Sequence, residues 1–139
     1  MLYKLIRSLL FKLDPETAHH LIMGNIDWAA ATNLIRLVCP KPYRAPVEVM
    51  GLKFPNAVGL AAGMDKTGEH VSSLGDLGFG HIEAGTFTPY PQSGNPKPRL
   101  WRLIPAEGVI NHMGFNNCGA DQAIENLNSA RPFRAQGGI

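Results

Sequence analysis

The chain has 139 residues, 45% of them hydrophobic and 17% charged, which excludes disorder and suits one globular domain with a sizeable core. A formal net charge of +2, with no Lys/Arg run and no RNA-binding aromatic motif, gives no global pull toward nucleic acid. No run of about 18 apolar residues is present, so no membrane-spanning helix is expected. Cys39 and Cys118 lie far apart, without a CxxC or ligand-spaced histidines, which speaks against a disulfide framework or a metal site and makes a reducing compartment the default. Lys12, Asp14 and Glu16 interrupt the first apolar region and no small-residue cleavage site follows, so the N-terminus does not read as a signal peptide.

In residues 2–13, Leu2, Leu5, Ile6, Leu9, Leu10 and Leu13 recur at helical spacing opposite Lys4, Arg7, Ser8 and Lys12, predicting a basic amphipathic helix. Asp14 then caps a second helix with Pro15 at its first position. Its apolar stripe is read as Ala18, Leu21, Ile22, Ile26, Ala29 and Ala30, slightly weakened by Gly24. A short third piece over 34–39 is stopped by Pro40 and Pro42. Up to Arg44 the segment carries Lys4, Arg7, Lys12, Arg36, Lys41 and Arg44 against Asp14, Glu16 and Asp27. Such a segment serves as a helical cap on the rest of the protein, as a module at an anionic lipid surface, or as both.

Beyond the prolines the periodicity changes. Residues 47–50 and 52–54 read as a hairpin turning at Gly51. The run NAVGLAAGMDK over 56–66 follows: Val58, Leu60, Ala61, Ala62 and Met64 make a buried-strand pattern, Gly59 and Gly63 permit close backbone approach, and Asp65 and Lys66 stand at the exit. Residues 67–77 predict a short helix with Val71 and Leu74 inward, and 81–87 a second buried strand. The two strands and their helix form a βαβ unit, whose strands are parallel. Residues 88–98 form a long functional loop, 100–104 and 109–110 a small hairpin, 111–117 (NHMGFNN) a polar turn and 120–127 a helix. Gly137, Gly138 and Ile139 read as the entry to another strand. Two βα units and the start of a third do not close an eight-stranded barrel, so the chain is read as the front part of a longer protein.

Three loop clusters follow sheet-like segments: AAGMDK at 61–66, AGTFTP at 84–89 and NHMGFNN at 111–117. Parallel neighbouring strands would open all three on one face, just beyond the carboxyl ends, where ligands bind in such sheets. Backbone N–H groups, an ammonium, the Thr86 hydroxyl and several carboxamides suit a flat, partly anionic ligand whose ring alternates carbonyl and N–H groups. Ser/His/Asp and Cys/His relays and a Walker loop are missing, which disfavours hydrolysis and nucleoside triphosphate chemistry. Taken singly, Thr86 also reads as barrel filling, Asn116 and Asn117 as a turn and helix cap, and Cys118 and the five histidines as packing or surface residues.

Together, LDPETAHHL at 13–21, VMGLKFPNAVGLAAGMDKTGE at 49–69, GFGHIEAGTFTPYPQSGNPKPRLWRL at 78–103 and GVINHMGFNNCGAD at 108–121 resemble the membrane-associated, quinone-dependent dihydroorotate dehydrogenases. The resemblance runs in order over nearly the whole chain but covers only the front part of such a protein. It implies an α/β fold: the N-terminal portion of a (β/α)8 TIM barrel over 45–139, preceded over 1–44 by a small helical extension that associates with the membrane and forms a quinone tunnel. It implies FMN as cofactor, oxidation of dihydroorotate to orotate in pyrimidine biosynthesis, and a membrane quinone as electron acceptor. It also implies peripheral attachment to the cytoplasmic face of a bacterial inner membrane, with no metal and no nucleic acid.

Carried over by position, the resemblance sets Ala62, Gly63, Lys66 and Thr86, with the adjoining Met64 and Asp65, against FMN. It sets Lys66, Asn111, His112, Met113, Gly114 and Phe115 against the substrate, and His19 and Arg102 at the quinone tunnel. The family's serine base lies beyond residue 139, so no catalytic base is assigned, and the polypeptide alone is expected to be an inactive fragment that does not hold FMN. The alternatives are a truncated, membrane-adhering product without function and a soluble fumarate- or NAD-linked relative.

Overall fold

The computed structural model describes residues 2–39 and 44–130, apart from the side chains of Leu2 and Val38. The stop at Pro40 and Pro42 and the strand entry at Gly137–Ile139 lie outside the described residues. Helix α1 spans Leu2–Leu10 and α2 spans Pro15–Ala31, followed by a single turn, α3, at Ile35–Val38. The α2 start is built as the sequence predicts: Asp14 Oδ1 accepts from the Thr17 backbone N–H at 2.9 Å, and Pro15 takes the first position, where no N–H is needed.

The buried face of α2 differs from the expected stripe. Ala18, Met23 and Ile26 are buried, whereas Leu21 and Ile22 are 49% and 44% exposed. Only one side of α2 meets the rest of the protein, and the apolar positions span more of the helix than that contact covers. Met23, Ile26, Ile35 and Leu74 form the core, with Leu60, Leu77 and Ile82 packed against it. The helical segment and the βαβ unit therefore share one core. Two polar links reinforce the junction, since Asp27 of α2 accepts from Ser73 Oγ at 2.6 Å and lies 2.9 Å from His70 Nδ1.

Strands β1 (Val47–Val49) and β2 (Leu52–Phe54) pair antiparallel, with Val49 opposite Leu52. The two linking residues, Met50 and Gly51, have φ of 51° and 78°, the pair of left-handed residues that a type I′ hairpin turn requires. Strands β3 (Gly59–Leu60) and β4 (His81–Ile82) pair parallel, joined through α4 (Val71–Gly75), whose Val71 and Leu74 are buried.

Both strands are much shorter than the apolar runs that contain them, and Val58 and Met64 are 64% and 42% exposed rather than buried. The two chains stay side by side beyond the ladder through single hydrogen bonds: Glu83 N to Leu60 O, Gly63 N to Gly85 O and Gly85 N to Asp65 O, at 2.8 to 2.9 Å. Gly63 and Gly85, with φ of 104° and 113°, break the extended geometry that a regular ladder needs.

The predicted small hairpin is present as β5 (Leu100–Leu103) and β6 (Gly108–Asn111), paired antiparallel around a 3-10 turn at Ile104–Ala106. Helix α5 (Ala120–Ser129) follows.

Candidate active site

The three loop clusters do converge. The first is shaped by Asp65, which is 2% exposed and whose carboxylate is consumed locally. Its Oδ1 accepts from the backbone N–H groups of Thr67 (3.1 Å) and Gly68 (2.8 Å) and from Thr67 Oγ1 (3.2 Å), and its Oδ2 accepts from the N–H of His70 (2.9 Å). This network rolls residues 65–70 into a compact loop before α4, on which Lys66 makes no hydrogen bond to Asp65 and reaches instead toward the third cluster. Lys66 is half-buried, and its Nζ donates to Asn116 Oδ1 at 3.3 Å. Burial, helped by the nearby Arg99 charge and opposed by Glu16, lowers the Lys66 pKa from its ordinary value.

The third cluster is held from behind by the long loop. Gln92 and Asn117 exchange backbone hydrogen bonds at 3.1 and 3.0 Å, and Asn95 N–H donates to Met113 O at 2.9 Å. Asn117 Oδ1 accepts from the N–H groups of Thr88 and Gly119, so Asn117 serves as a turn residue; the expected asparagine cap is not formed, because Gly119 takes the N-cap position of α5 with no side-chain cap bond. Phe115 adopts φ of 56° and is 69% exposed.

A cavity of about 640 Å³ lies between the clusters. It is lined by Ala62, Gly63 and Lys66 from the first, Thr86 from the second, Asn111, His112, Met113, Gly114 and Phe115 from the third, and His19 from α2. Met64 and Asp65 stand outside it and face a second cavity of about 260 Å³ between α2 and the 64–70 loop. Arg102 is in neither lining: its Nη1 donates to Leu13 O at 2.8 Å, and its guanidinium lies 4.5 Å from the centre of the Phe11 ring, tying β5 to the end of α1. Burial, with the His20 and Lys66 charges nearby, lowers the His19 pKa from its ordinary value.

Sequence reasoning missed Glu16, Asn95 and Leu100, and held Gly85 and Asn116 only as members of the loop clusters; all five also line the larger cavity. For Glu16 the local signal pointed elsewhere, because an acid in the first turn of a helix is explained by the helix dipole alone. Asn116 was legible only as half of an asparagine pair. Burial pushes the Cys118 thiol up from its ordinary value, in keeping with a packing residue.

The family profile described as dihydroorotate dehydrogenase matches residues 44–138. The chain belongs to the dihydroorotate dehydrogenase family. It is 57% identical over its whole length to a dihydroorotate dehydrogenase (quinone) of Dechloromonas aromatica (strain RCB), of which it covers 40%. A dihydroorotate dehydrogenase (quinone) of Thiobacillus denitrificans is 57% identical over 91% of the chain and 37% of that relative. The chain thus spans about two-fifths of the length of the curated dihydroorotate dehydrogenases it matches.

Among solved structures, the crystal structure of DHODH from Eimeria tenella in complex with ferulenol aligns with a TM-score of 0.69 at 39% identity, covering 89% of this chain and 33% of that one. The ligand-free DHODH of the same organism aligns with a TM-score of 0.67 at 41% identity, covering 84% and 31%. The chain accordingly has a partial TIM-barrel-type α/β fold, and β3, α4 and β4 supply its parallel βαβ unit.

Proposed function

We propose that this chain forms one wall of the active site of a quinone-dependent dihydroorotate dehydrogenase of pyrimidine biosynthesis, with FMN as its cofactor. The observation that carries the proposal is the gathering of Lys66, Thr86 and residues 111–115 on one cavity, from three loops widely separated in sequence. The donor set fits a flat ring system. At Gly63 (φ of 104°) the direction a side chain would take is clear of other atoms within 4 Å, so a planar group can approach the backbone. Ala62 and Thr86 are likewise small and exposed beside it.

In this reading Ala62, Gly63 and Thr86 lie against FMN, which when bound accepts a hydride from dihydroorotate and returns the electrons to quinone. Lys66 holds the substrate carboxylate and steadies negative charge at the ring, in a half-buried position where an ammonium acts more strongly than in water. Asn111 and the 112–115 segment read the pyrimidine by paired donors and acceptors, and Phe115 offers its ring as a cover. His19, at the α2 edge of the cavity, faces the quinone side; Arg102 fixes the junction of β5 with the end of α1.

In this reading the chain divides into a helical extension over 1–44 and a portion of the barrel over 45–139. The extension associates peripherally with the cytoplasmic face of a bacterial inner membrane. In support, α1 presents Leu5 and Leu9 at 61% and 56% exposure beside Lys4 and Arg7, the composition of an interfacial helix. Among the described residues, no helix is long and apolar enough to cross a membrane.

The test is direct. Protein expressed from the complete reading frame that carries these residues is purified and assayed for bound flavin and for dihydroorotate oxidation with a soluble quinone. Stoichiometric FMN and quinone-dependent turnover are the expected result, whereas fumarate- or NAD-dependent turnover alone would replace the quinone assignment.

A further inference from the structure

One buried arginine links helix α2 to the segment that faces the substrate. Glu16, in the first turn of α2, is 3% exposed, and Arg99, immediately before β5, is 8% exposed. Arg99 Nη2 donates to Glu16 Oε1 at 2.7 Å, and its Nε lies 3.2 Å from each carboxylate oxygen. Its remaining nitrogen, Nη1, donates to the carbonyls of Ser93 (2.6 Å) and Asn95 (3.0 Å). Asn95 carries the constraint onward. Its backbone N–H donates to Met113 O and its Nδ2 to His112 O, both at 2.9 Å, while His112 N–H donates back to Arg99 O at 2.9 Å. The two loops touch without slack: a side chain at Gly94 would collide with the Met113 carbonyl, and one at Gly114 would lie 2.8 Å from Asn95.

The segment needs such support. Strand β6 ends at Asn111, so residues 112–116 lie beyond the ladder. Gly114 and Phe115 both have positive φ, 74° and 56°, and a phenylalanine holds that conformation only where its surroundings impose it. Asn95 and Glu16 also line the same cavity as Lys66.

We infer that Glu16, Arg99 and Asn95 are positioning residues: docking of α2 sets, through Arg99 and Asn95, the backbone geometry of residues 112–114 and thereby the affinity of the cavity for its anionic pyrimidine ligand. The inference rests on the function proposed above. It makes the helical extension a determinant of substrate affinity as well as a route for the electron acceptor.

The test uses flavin-loaded protein from the complete reading frame, with Asn95→Ala and Glu16→Gln, reading orotate affinity from the change in flavin absorbance alongside flavin content and Tm. Asn95→Ala removes the bond to His112 O but keeps the ion pair and the backbone bond to Met113. Both variants are expected to weaken orotate binding by about ten- to a hundredfold at unchanged flavin content. If Glu16→Gln does not fold, Asn95→Ala decides alone. Orotate affinity within about twofold of the parent, or a lowered Tm with unchanged affinity, would reduce the three residues to a structural clamp and overturn the inference. A parent protein that holds flavin yet binds no orotate would overturn the functional reading and this inference together.

Discussion

Lys66 and Asn116 are 50 residues apart in sequence, yet the ammonium of the first donates to the carboxamide oxygen of the second at 3.3 Å. That bond spans the cavity from the first loop cluster to the third and holds the charge in place with a neutral acceptor. No carboxylate lies within salt-bridge distance of Lys66 among the described residues, so its positive charge is free to meet an anionic ligand. Because burial already lowers its pKa, an anion placed beside it strengthens the ammonium form rather than competing with an existing partner.

Replacing Lys66 with Met in the protein from the complete reading frame removes this charge while keeping most of the stem. Flavin reduction by dihydroorotate is expected to slow by about 100-fold or more, as for loss of a group that stabilises developing negative charge. Anaerobic stopped-flow spectroscopy measures the rate. A variant that reduces at the parental rate places Lys66 outside the chemistry.

Glu16 makes the fold acid-sensitive. The Arg99 hydrogen bonds, against the opposing effect of burial, hold its pKa down to about 2 from the ordinary 4.5. A carboxylate whose folded pKa is depressed adds stability above its unfolded value, and that contribution is lost as the pH falls from about 4.5 toward 2. Urea midpoints should therefore drop over this window. Glu16→Gln should be destabilised at neutral pH by about 3 to 5 kcal/mol, since Arg99 is left buried without its counter-charge, and should lack this component of the acid response. Parallel pH profiles for the two proteins would contradict the assignment.

Asp65 is a structural residue beside Lys66, which lines the cavity. Asp65→Asn preserves size but converts an acceptor into a donor facing backbone N–H groups, so the 65–70 loop loses at least one of its bonds and gains an unfavourable contact. A loss of about 2 to 3 kcal/mol in denaturant unfolding is expected. Stability equal to that of the parent would mean that the buried carboxylate does not organise the loop.

The apolar side of α1 carries the membrane proposal. Leu5→Glu with Leu9→Glu should abolish sedimentation with anionic vesicles while leaving flavin content and dihydroorotate oxidation by a soluble acceptor intact, because both residues are exposed and far in sequence from the loops that line the cavity. Retained vesicle binding would assign membrane contact to another surface.

Much of the architecture was legible because it is written in short-range chemistry. Asp14 and Pro15 mark the start of α2 by satisfying or omitting N–H groups within three residues. Gly51 marks the hairpin because few residues adopt positive φ readily. The strands were overestimated for the same reason: the run over 56–66 is apolar enough for a buried strand, but Gly63 turns the chain out of the ladder within three residues of Leu60. An apolar pattern reports where burial is favourable, not where a hydrogen-bond ladder ends.

By itself, then, the sequence determined the order of elements, the cap of α2, the hairpin turn, the family and the three loop clusters that line one cavity. Tertiary structure decided that Met23 rather than Leu21 and Ile22 enters the core, that Asp65 is spent on its own loop while Lys66 is left for the cavity, and that Glu16 reaches Arg99 across 83 residues. The physical reason is range. Backbone propensity and capping act over a few residues, whereas a buried charge or carboxamide acquires its role only from the partners that folding brings within about 3 Å of it.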